Sequence, residues 1–167
     1  MENPRIVDES LRWLDIIVQA RAAYDNLHFA AAISLAKQYH QARRIDSIPI
    51  VDHRCSLNPF ISIIIVTNRR DEILKPCIEH LSDQDTDDFE LILVDNAVDR
   101  TAHTWLWQYP LLHIPLPVNV GLSEGRNIGS EFARGKVLLF LDDDGLPESG
   151  LVSATKSAFQ QYDFIAV

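Results

Sequence analysis

Apolar positions follow a helical period in the first quarter of the chain. Within residues 8–44 they recur at the spacing of one helical face. The clearest of them are Leu11, Leu14, Ile17 and Val18. The polar pair Asp25 and Asn26 interrupts this pattern, which predicts a helical hairpin. Residues 45–59 contain prolines, serines and no helical period, and we interpret them as a linker.

From Phe60 onward the pattern alternates between short apolar runs and amphipathic segments. The predicted strands are residues 61–66, 90–94, 112–114, 136–142 and 164–167. The predicted helices are residues 71–84, 102–108, 123–134 and 149–162. Strands that alternate with helices indicate an α/β fold with a parallel sheet and right-handed crossovers. We predict a helical extension with its linker over residues 1–50 and an α/β domain over 60–167, which we expect to be a fragment because it stops within an apolar strand.

One of these apolar runs ends on three consecutive carboxylates. Val137–Leu141 is entirely apolar, which is typical of a strand buried on both faces of a parallel sheet. Asp142, Asp143 and Asp144 follow it at the carboxyl end, where open α/β sheets bind their ligands. Like charges so close together repel each other, and a cation would keep all three ionised. Because carboxylate oxygens suit Mg²⁺ or Mn²⁺, the sequence predicts a metal–phosphate site here.

Two further polar clusters follow predicted strands. Thr67-Asn68-Arg69-Arg70 comes after the first strand and Asp95-Asn96 after the second. If the strands are parallel, both clusters share one sheet edge with the three aspartates. Arginines bind phosphate through paired hydrogen bonds, and an acid at a strand end can accept hydrogen bonds from a ribose or a base. The combination predicts a nucleotide site.

Composition and charge exclude several classes of partner. The chain has 167 residues, 47% of them hydrophobic, and a formal net charge of −9. Such a charge argues against binding to nucleic acid or to anionic lipid. No apolar run reaches the roughly 20 residues of a membrane-spanning helix, and the N-terminus lacks the pattern of a signal peptide. With only two cysteines, we predict a cytoplasmic protein with reduced thiols and no transmembrane segment.

Residues 60–167 resemble the nucleotide-binding half of a family 2 glycosyltransferase of the GT-A fold. The resemblance rests on motifs that occur in the family's order: Ser62–Arg69, Glu90–Asp99, Asn119–Gly129, Ala133–Lys136 and Phe140–Asp144. The last of these resembles the family's Asp-X-Asp (DXD) motif. The resemblance implies a Rossmann-like, mainly parallel sheet flanked by helices. Here the helical hairpin would precede that sheet.

The resemblance also implies site residues and a reaction. The nucleotide-binding residues would be Thr67, Asn68, Arg69, Asp95, Arg126, Asp142 and Asp143. Among them, Asp95 would contact the base and Arg126 would fix both the base and Asp95. Asp144 and Asp142 would hold Mn²⁺ or Mg²⁺. The protein would be a metal-dependent transferase that moves a sugar from a nucleotide-diphosphate sugar, expected to be a UDP-sugar, to an unknown acceptor.

This sequence departs from the family pattern at two points. Val66-Thr67-Asn68 lacks the proline and the aromatic residue that the family usually carries in its first loop. The expected catalytic base would lie beyond Val167, so the catalytic residue is unknown. We therefore expect the isolated chain to bind the donor and to transfer sugar poorly or not at all. The sheet edge left open would favour self-association.

Two alternatives remain open at this point. The chain could be a non-catalytic nucleotide-binding or interaction fragment, with the hairpin as its interaction element. It could also be a haloacid-dehalogenase-type phosphatase, since Leu139–Gly145 resembles that family's nucleophile motif, with Asp142 as nucleophile. Only 23 residues (167 − 144) follow Asp144, too few to hold the further motifs that such a phosphatase needs.

Overall fold

A five-stranded sheet with helices on both faces forms the framework of the computed structural model, which describes residues 8–68, 71–96 and 104–162. The strands are β1 (Val51–Asp52), β2 (Ile61–Thr67), β3 (Phe89–Asp95), β4 (Leu111–Pro115) and β5 (Val137–Asp142). The α-helices are α1 (Trp13–Asp25), α2 (Phe29–Ala42), α3 (Asp71–Ser82), α4 (Leu122–Glu131) and α5 (Leu151–Gln161). Short 3-10 helices lie at Glu9–Leu11, Ile45–Ser47 and Thr104–Gln108.

The strand order brings the predicted polar clusters to one edge. The sheet runs β1-β4-β3-β2-β5, with β2 parallel to both β3 and β5, and β3 parallel to β4. The register pairs Thr67 with Asp95 and Val66 with Asp142. The carboxyl ends of β2, β3 and β5 therefore meet, as the sequence predicts for a parallel sheet.

The alternating side chains of the central strands feed two hydrophobic cores. Ile64 and Ile92 point into a core that the helical hairpin shares through Trp13, Leu14 and Tyr39. Their neighbours along the same strands, Ile63, Ile65 and Leu93, point to the opposite face of the sheet and pack against α3 and α5. Both faces of β2 are buried, which explains its almost unbroken run of isoleucine and valine. The hairpin is thus packed directly on the sheet.

The last described strand does not have the position that its sequence predicts. An entirely apolar run suggested burial on both faces, but β5 lies at the edge of the described sheet, and Leu138 and Phe140 are 44% and 42% exposed. An apolar run indicates a strand, but it does not tell which strands pair with it. The expectation of burial on both faces is therefore wrong for the described part of the chain.

The predicted linker is more ordered than its composition suggests. It contains the 3-10 helix Ile45–Ser47 and β1, which pairs antiparallel with β4. The side chain of Arg54 is buried and forms a 2.8 Å ion pair with Glu90; the two side chains are 4% and 0% exposed. Ser62 donates a 2.6 Å hydrogen bond to the same carboxylate. A two-residue strand is too short to show a period, so the sequence pattern missed it.

The remaining elements lie close to their predicted positions. The helix over Asp71–Ser82 continues through Pro76, and residues 104–108 form a 3-10 helix. The predicted strand at residues 164–167 lies outside the described residues. Within the described ranges, every helix is too short or too polar to cross a bilayer.

Candidate functional site

A cavity of about 430 Å³ opens at the carboxyl edge of the sheet. Its lining combines the predicted strand ends with the loop before α4 and one side chain of the hairpin. The lining residues are Arg21, Val66, Thr67, Asn68, Asn96, Asn119, Gly121, Leu122, Asp142, Asp143 and Asp144. A volume of this size suits a small-molecule ligand. The polar clusters that the sequence places at this edge thus line one cavity.

The three aspartates have different surroundings. The amide of Gly145 donates a 3.0 Å hydrogen bond to the carbonyl of Asp142, so the segment forms a tight turn. Asp143 is buried and accepts a 2.6 Å hydrogen bond from the Thr67 hydroxyl. The Asp142 side chain is 70% exposed, and Asp144 is exposed as well. The middle carboxylate therefore holds β2 and β5 together, while the outer two are accessible to a ligand.

Arg126 lies beside Asp142, the first of the three aspartates. Its guanidinium is 3.2 Å from Asp142 Oδ1 and rests over the ring of Phe140, 5.4 Å from its centroid. The family resemblance placed Arg126 on Asp95. Among the described residues, Arg126 pairs with Asp142 and not with Asp95, whose carboxylate lies 3.4 Å from His113 Nε2. The arginine therefore lies next to Asp142, although it is not itself among the residues that line the cavity.

Glycines allow α4 to approach the sheet closely. A Cβ atom on Gly125 would lie 2.6 Å from a methyl group of Val66, and one on Gly129 would lie 2.6 Å from a methyl group of Ile64. Since real Cβ atoms do not come so close, only glycine fits at either position. This close packing fixes the helix that carries Arg126.

Asn96 organises the loop that leads into α4. Its side-chain amide donates to the carbonyl of Gly121 at 3.2 Å and accepts from the amide of Val120 at 3.2 Å. Its own backbone amide donates to the carbonyl of Thr67 at 2.7 Å. Asn96 therefore connects the ends of β2 and β3 with the loop on the far side of the cavity.

A buried polar network joins α4 to the helical hairpin. Glu124 accepts hydrogen bonds from the hydroxyl of Tyr39, from Arg43 Nε at 3.1 Å and from Asn127 at 3.0 Å. Burial, reinforced by the Glu124 carboxylate, raises the pKa of Tyr39 above its ordinary value. The tyrosine therefore stays a neutral donor at physiological pH.

The structure places most of the predicted site residues at the cavity. Thr67, Asn68 and the three aspartates line it. Asp95 is buried at the end of β3, next to the lining residue Asn96. Arg69, together with Asp99 of the second motif, lies outside the described residues.

Sequence reasoning missed two contributions to the cavity. Asn119, in the motif before α4, was not assigned a binding role although it lines the cavity. Arg21 also lines it, although it belongs to the hairpin. The polar side chain of Asn119, shortly before the helix that carries Arg126 and Asn127, is a signal that could have suggested this residue. No local pattern could have suggested Arg21, because its position depends on how the hairpin packs on the sheet.

Asp142 and Asp144 are the residues that could hold a cation, if a ligand completed its shell. Within the described residues, no group of three or more histidine, cysteine or acidic side chains is arranged to hold a metal by itself. Mg²⁺ and Mn²⁺ sites in phosphate-handling proteins commonly use one or two carboxylates and complete their shell with water and phosphate oxygens. The accessible pair Asp142 and Asp144 provides such a donor set.

The thiol of Cys77, which is buried beneath the turn formed by Asp142–Gly145, is not a nucleophile. Cys77 Sγ lies 3.8 Å from the carbonyl of Asp142. Burial, with smaller contributions from Asp143 and Asp144, raises the pKa of the Cys77 thiol to about 12. It therefore remains protonated and serves as packing under the aspartates.

Sequence comparison identifies the family to which the chain belongs. The family model described as "Glycosyl transferase family 2" matches residues 62–167, which is more than half of the chain. The chain belongs to glycosyl transferase family 2. This membership favours the glycosyltransferase interpretation over the phosphatase alternative. The matched range contains every predicted nucleotide-binding and metal-binding residue and excludes the hairpin.

A curated relative supports the assignment over part of its length. An uncharacterized glycosyltransferase of Haemophilus influenzae is 34% identical over 85 residues, which are 50% of this chain and 29% of that relative. The chain thus spans less than a third of this relative's length.

Solved structures confirm the GT-A fold. Staphylococcus aureus TarS in complex with UDP-GlcNAc aligns with a TM-score of 0.57 at 22% identity, over 62% of this chain and 32% of TarS. The mannosyltransferase PcManGT of Pyrobaculum calidifontis, in complex with GDP-Man and Mn²⁺, aligns with a TM-score of 0.53 at 23% identity, over 86% of this chain and 43% of that protein. The expected α/β architecture of GT-A type, with helices before the sheet, is therefore confirmed.

Proposed function

We propose that this chain forms the donor site of a glycosyltransferase that transfers a sugar from a nucleotide-diphosphate sugar to an acceptor. The observation that carries the proposal is the pair of exposed carboxylates, Asp142 and Asp144, on a cavity whose lining also includes hydroxyl and amide side chains. A nucleotide needs both kinds of group. Its base and ribose form hydrogen bonds with hydroxyl and amide groups. Its negatively charged diphosphate needs a cation, which the carboxylates would hold.

The residues of the cavity divide between these two tasks. Thr67, Asn68 and Asn96 offer the hydroxyl and amide groups for the base and ribose, and Asp95 supports them from the end of β3. Asp142 and Asp144 would hold Mn²⁺ or Mg²⁺, which stabilises the charge of a nucleoside diphosphate leaving group when bound. Arg126 would hold the carboxylate of Asp142 in place, and Arg69 stays a predicted phosphate-binding residue. The complexes of TarS with UDP-GlcNAc and of PcManGT with GDP-Man and Mn²⁺ support a nucleotide-sugar as the ligand.

A UDP-sugar is the donor that we expect first, and the acceptor is unnamed. Because the chain spans only about a third of the Haemophilus relative and of TarS, we assign donor binding to this chain and sugar transfer to the whole protein. The non-catalytic alternative differs only in whether transfer follows donor binding. Self-association and a cytoplasmic location stay predictions.

Calorimetric titration tests the proposal. UDP, GDP and dTDP are each titrated into the 167-residue chain with Mn²⁺ and with EDTA. We expect one nucleotide to bind with Mn²⁺, and the Asp144→Asn variant to lose most of this binding. Asp46→Asn, which changes an exposed carboxylate away from the cavity, is the matched control and should bind like the wild type. A folded wild-type chain that binds none of the nucleotides would contradict the proposal.

A further inference from the structure

The helical hairpin contributes a cationic side chain to the cavity. Arg21, near the end of α1, lines the same cavity as Asp142, Asp143 and Asp144. It lies outside the residues that the family model matches, which begin at residue 62. Among the described lining residues, it is the only one with a positive charge.

The guanidinium of Arg21 lies over a glycine that makes room for it. A Cβ atom on Gly121 would be 3.1 Å from Arg21 Nη1, tighter than most real contacts. Gly121 also has φ of 87°, a conformation that favours glycine. The loop that Asn96 holds against the cavity therefore passes directly beneath the arginine.

Little else engages this guanidinium. Its ion pair among the described residues is with Asp25, at 4.0 Å, and both side chains are more than half exposed. Such a surface pair within one helix contributes little. The N–H donors of Arg21 are therefore available for a ligand in the cavity.

The backbone beneath Arg21 is held firmly against the domain. Leu14 and Ala20 of α1 are buried. Tyr39 and Arg43 of the hairpin bind Glu124, which lies on the helix that Gly121 precedes. The hairpin and the wall of the cavity are thus joined by a buried network, and α1 is fixed at the cavity rather than tethered near it.

We infer that Arg21 is a donor-binding residue that contacts the diphosphate of the nucleotide from the hairpin side. The inference rests on the proposed function. The diphosphate is the anionic part of such a donor, and a guanidinium binds phosphate oxygens through paired, charge-assisted hydrogen bonds. The metal at Asp142 and Asp144 would neutralise the diphosphate from the sheet side, and Arg21 would do so from the opposite wall.

Binding measurements with UDP and Mn²⁺ test this inference on the 167-residue chain. Arg21→Ala should weaken UDP binding about tenfold or more, as expected for the loss of a charge-assisted contact. Arg12→Ala is the matched control, because Arg12 is also an exposed arginine at α1 with a surface ion pair to its own segment, 3.3 Å from Glu9. It should bind UDP like the wild type.

Titration of uridine by NMR separates the phosphate from the base and ribose. Uridine should bind the wild type and Arg21→Ala equally weakly, or neither of them. An equal loss of uridine and UDP affinity would overturn the assignment to the diphosphate. If Arg21→Ala bound UDP as well as Arg12→Ala, the role of Arg21 would be overturned while the proposed function stood. A wild-type chain that binds none of UDP, GDP and dTDP would overturn both.

Discussion

The Thr67 hydroxyl donates a 2.6 Å hydrogen bond to the carboxylate of Asp143 and so joins the carboxyl ends of β2 and β5. This contact directs the side chain of Asp143, the middle one of the three aspartates, into the protein interior. Asp142 and Asp144 are left facing outward at the cavity. The division of roles among the three aspartates thus follows from one turn and one hydroxyl group.

Replacement of Thr67 tests this contact. Thr67→Val keeps the shape of the side chain but leaves the buried Asp143 carboxylate without this donor, which should lower the free energy of unfolding by about 1–3 kcal/mol. Thr67→Ser retains the hydroxyl and is the matched control. Urea unfolding measures both variants. A Thr67→Val variant as stable as the wild type would show that the hydrogen bond contributes nothing.

The hydroxyl of Tyr39 is expected to hold the hairpin on α4. Tyr39→Phe removes the donor to the buried Glu124 and should cost about 1–2 kcal/mol of stability. Tyr24, on the same hairpin but exposed, provides the control: Tyr24→Phe should change stability by less than about 0.5 kcal/mol. Thermal unfolding compares the two. A similar effect of both substitutions would contradict the role of the network.

The decrease in the free energy of unfolding at acidic pH should depend on Asp52. Hydrogen bonds from Arg54 hold the pKa of Asp52 at about 2, below its ordinary 3.8. As the pH falls, the unfolded state therefore takes up this proton before the folded state does. The resulting stabilisation is present above about pH 4 and is lost as the pH falls towards 2.

Unfolding by urea at about pH 6 and about pH 2.5 measures this effect. Asp52→Asn should lose stability at the higher pH and show a smaller difference between the two conditions than the wild type. Asp46→Asn, an exposed neighbour in sequence, should keep the wild-type difference. An unchanged pH dependence in Asp52→Asn would refute the assignment.

Close packing of α4 on β2 predicts a cost for a single methyl group. Gly125→Ala would place its Cβ 2.6 Å from Val66 and force the helix outward, at about 1–3 kcal/mol. Gly150→Ala adds the same methyl group where its nearest neighbour, Ser153 Oγ, would be 4.0 Å away, and it should be tolerated. Guanidinium unfolding of both variants decides the matter. Equal tolerance would mean that the helix does not need this approach.

Much of the site could be predicted from the sequence because parallel strands place their carboxyl ends together. Thr67, Asn96 and Asp142 are far apart along the chain, but each follows an apolar run, and topology alone brings them to one edge. The exposed edge of β5 and the pairing of Arg126 with Asp142 could not be predicted in the same way. They depend on which strand neighbours which and on how α4 lies on the sheet.

The contribution of the hairpin was the least predictable part. Its two helices are evident from their period, yet nothing in that period indicates that Arg21 reaches the cavity. That position results from long-range packing of Trp13, Leu14 and Tyr39 on the sheet.

We propose that the cavity between Thr67 and Asp144 binds a nucleoside diphosphate together with a metal. Crystals of the chain grown with UDP and Mn²⁺ test it most directly, through anomalous diffraction at the manganese edge. We expect one anomalous peak in contact with the carboxylate of Asp144 and the UDP diphosphate, with the base towards Thr67 and Asn96. Nucleotide density elsewhere on the protein, or manganese bound away from Asp142 and Asp144, would contradict this assignment of the site.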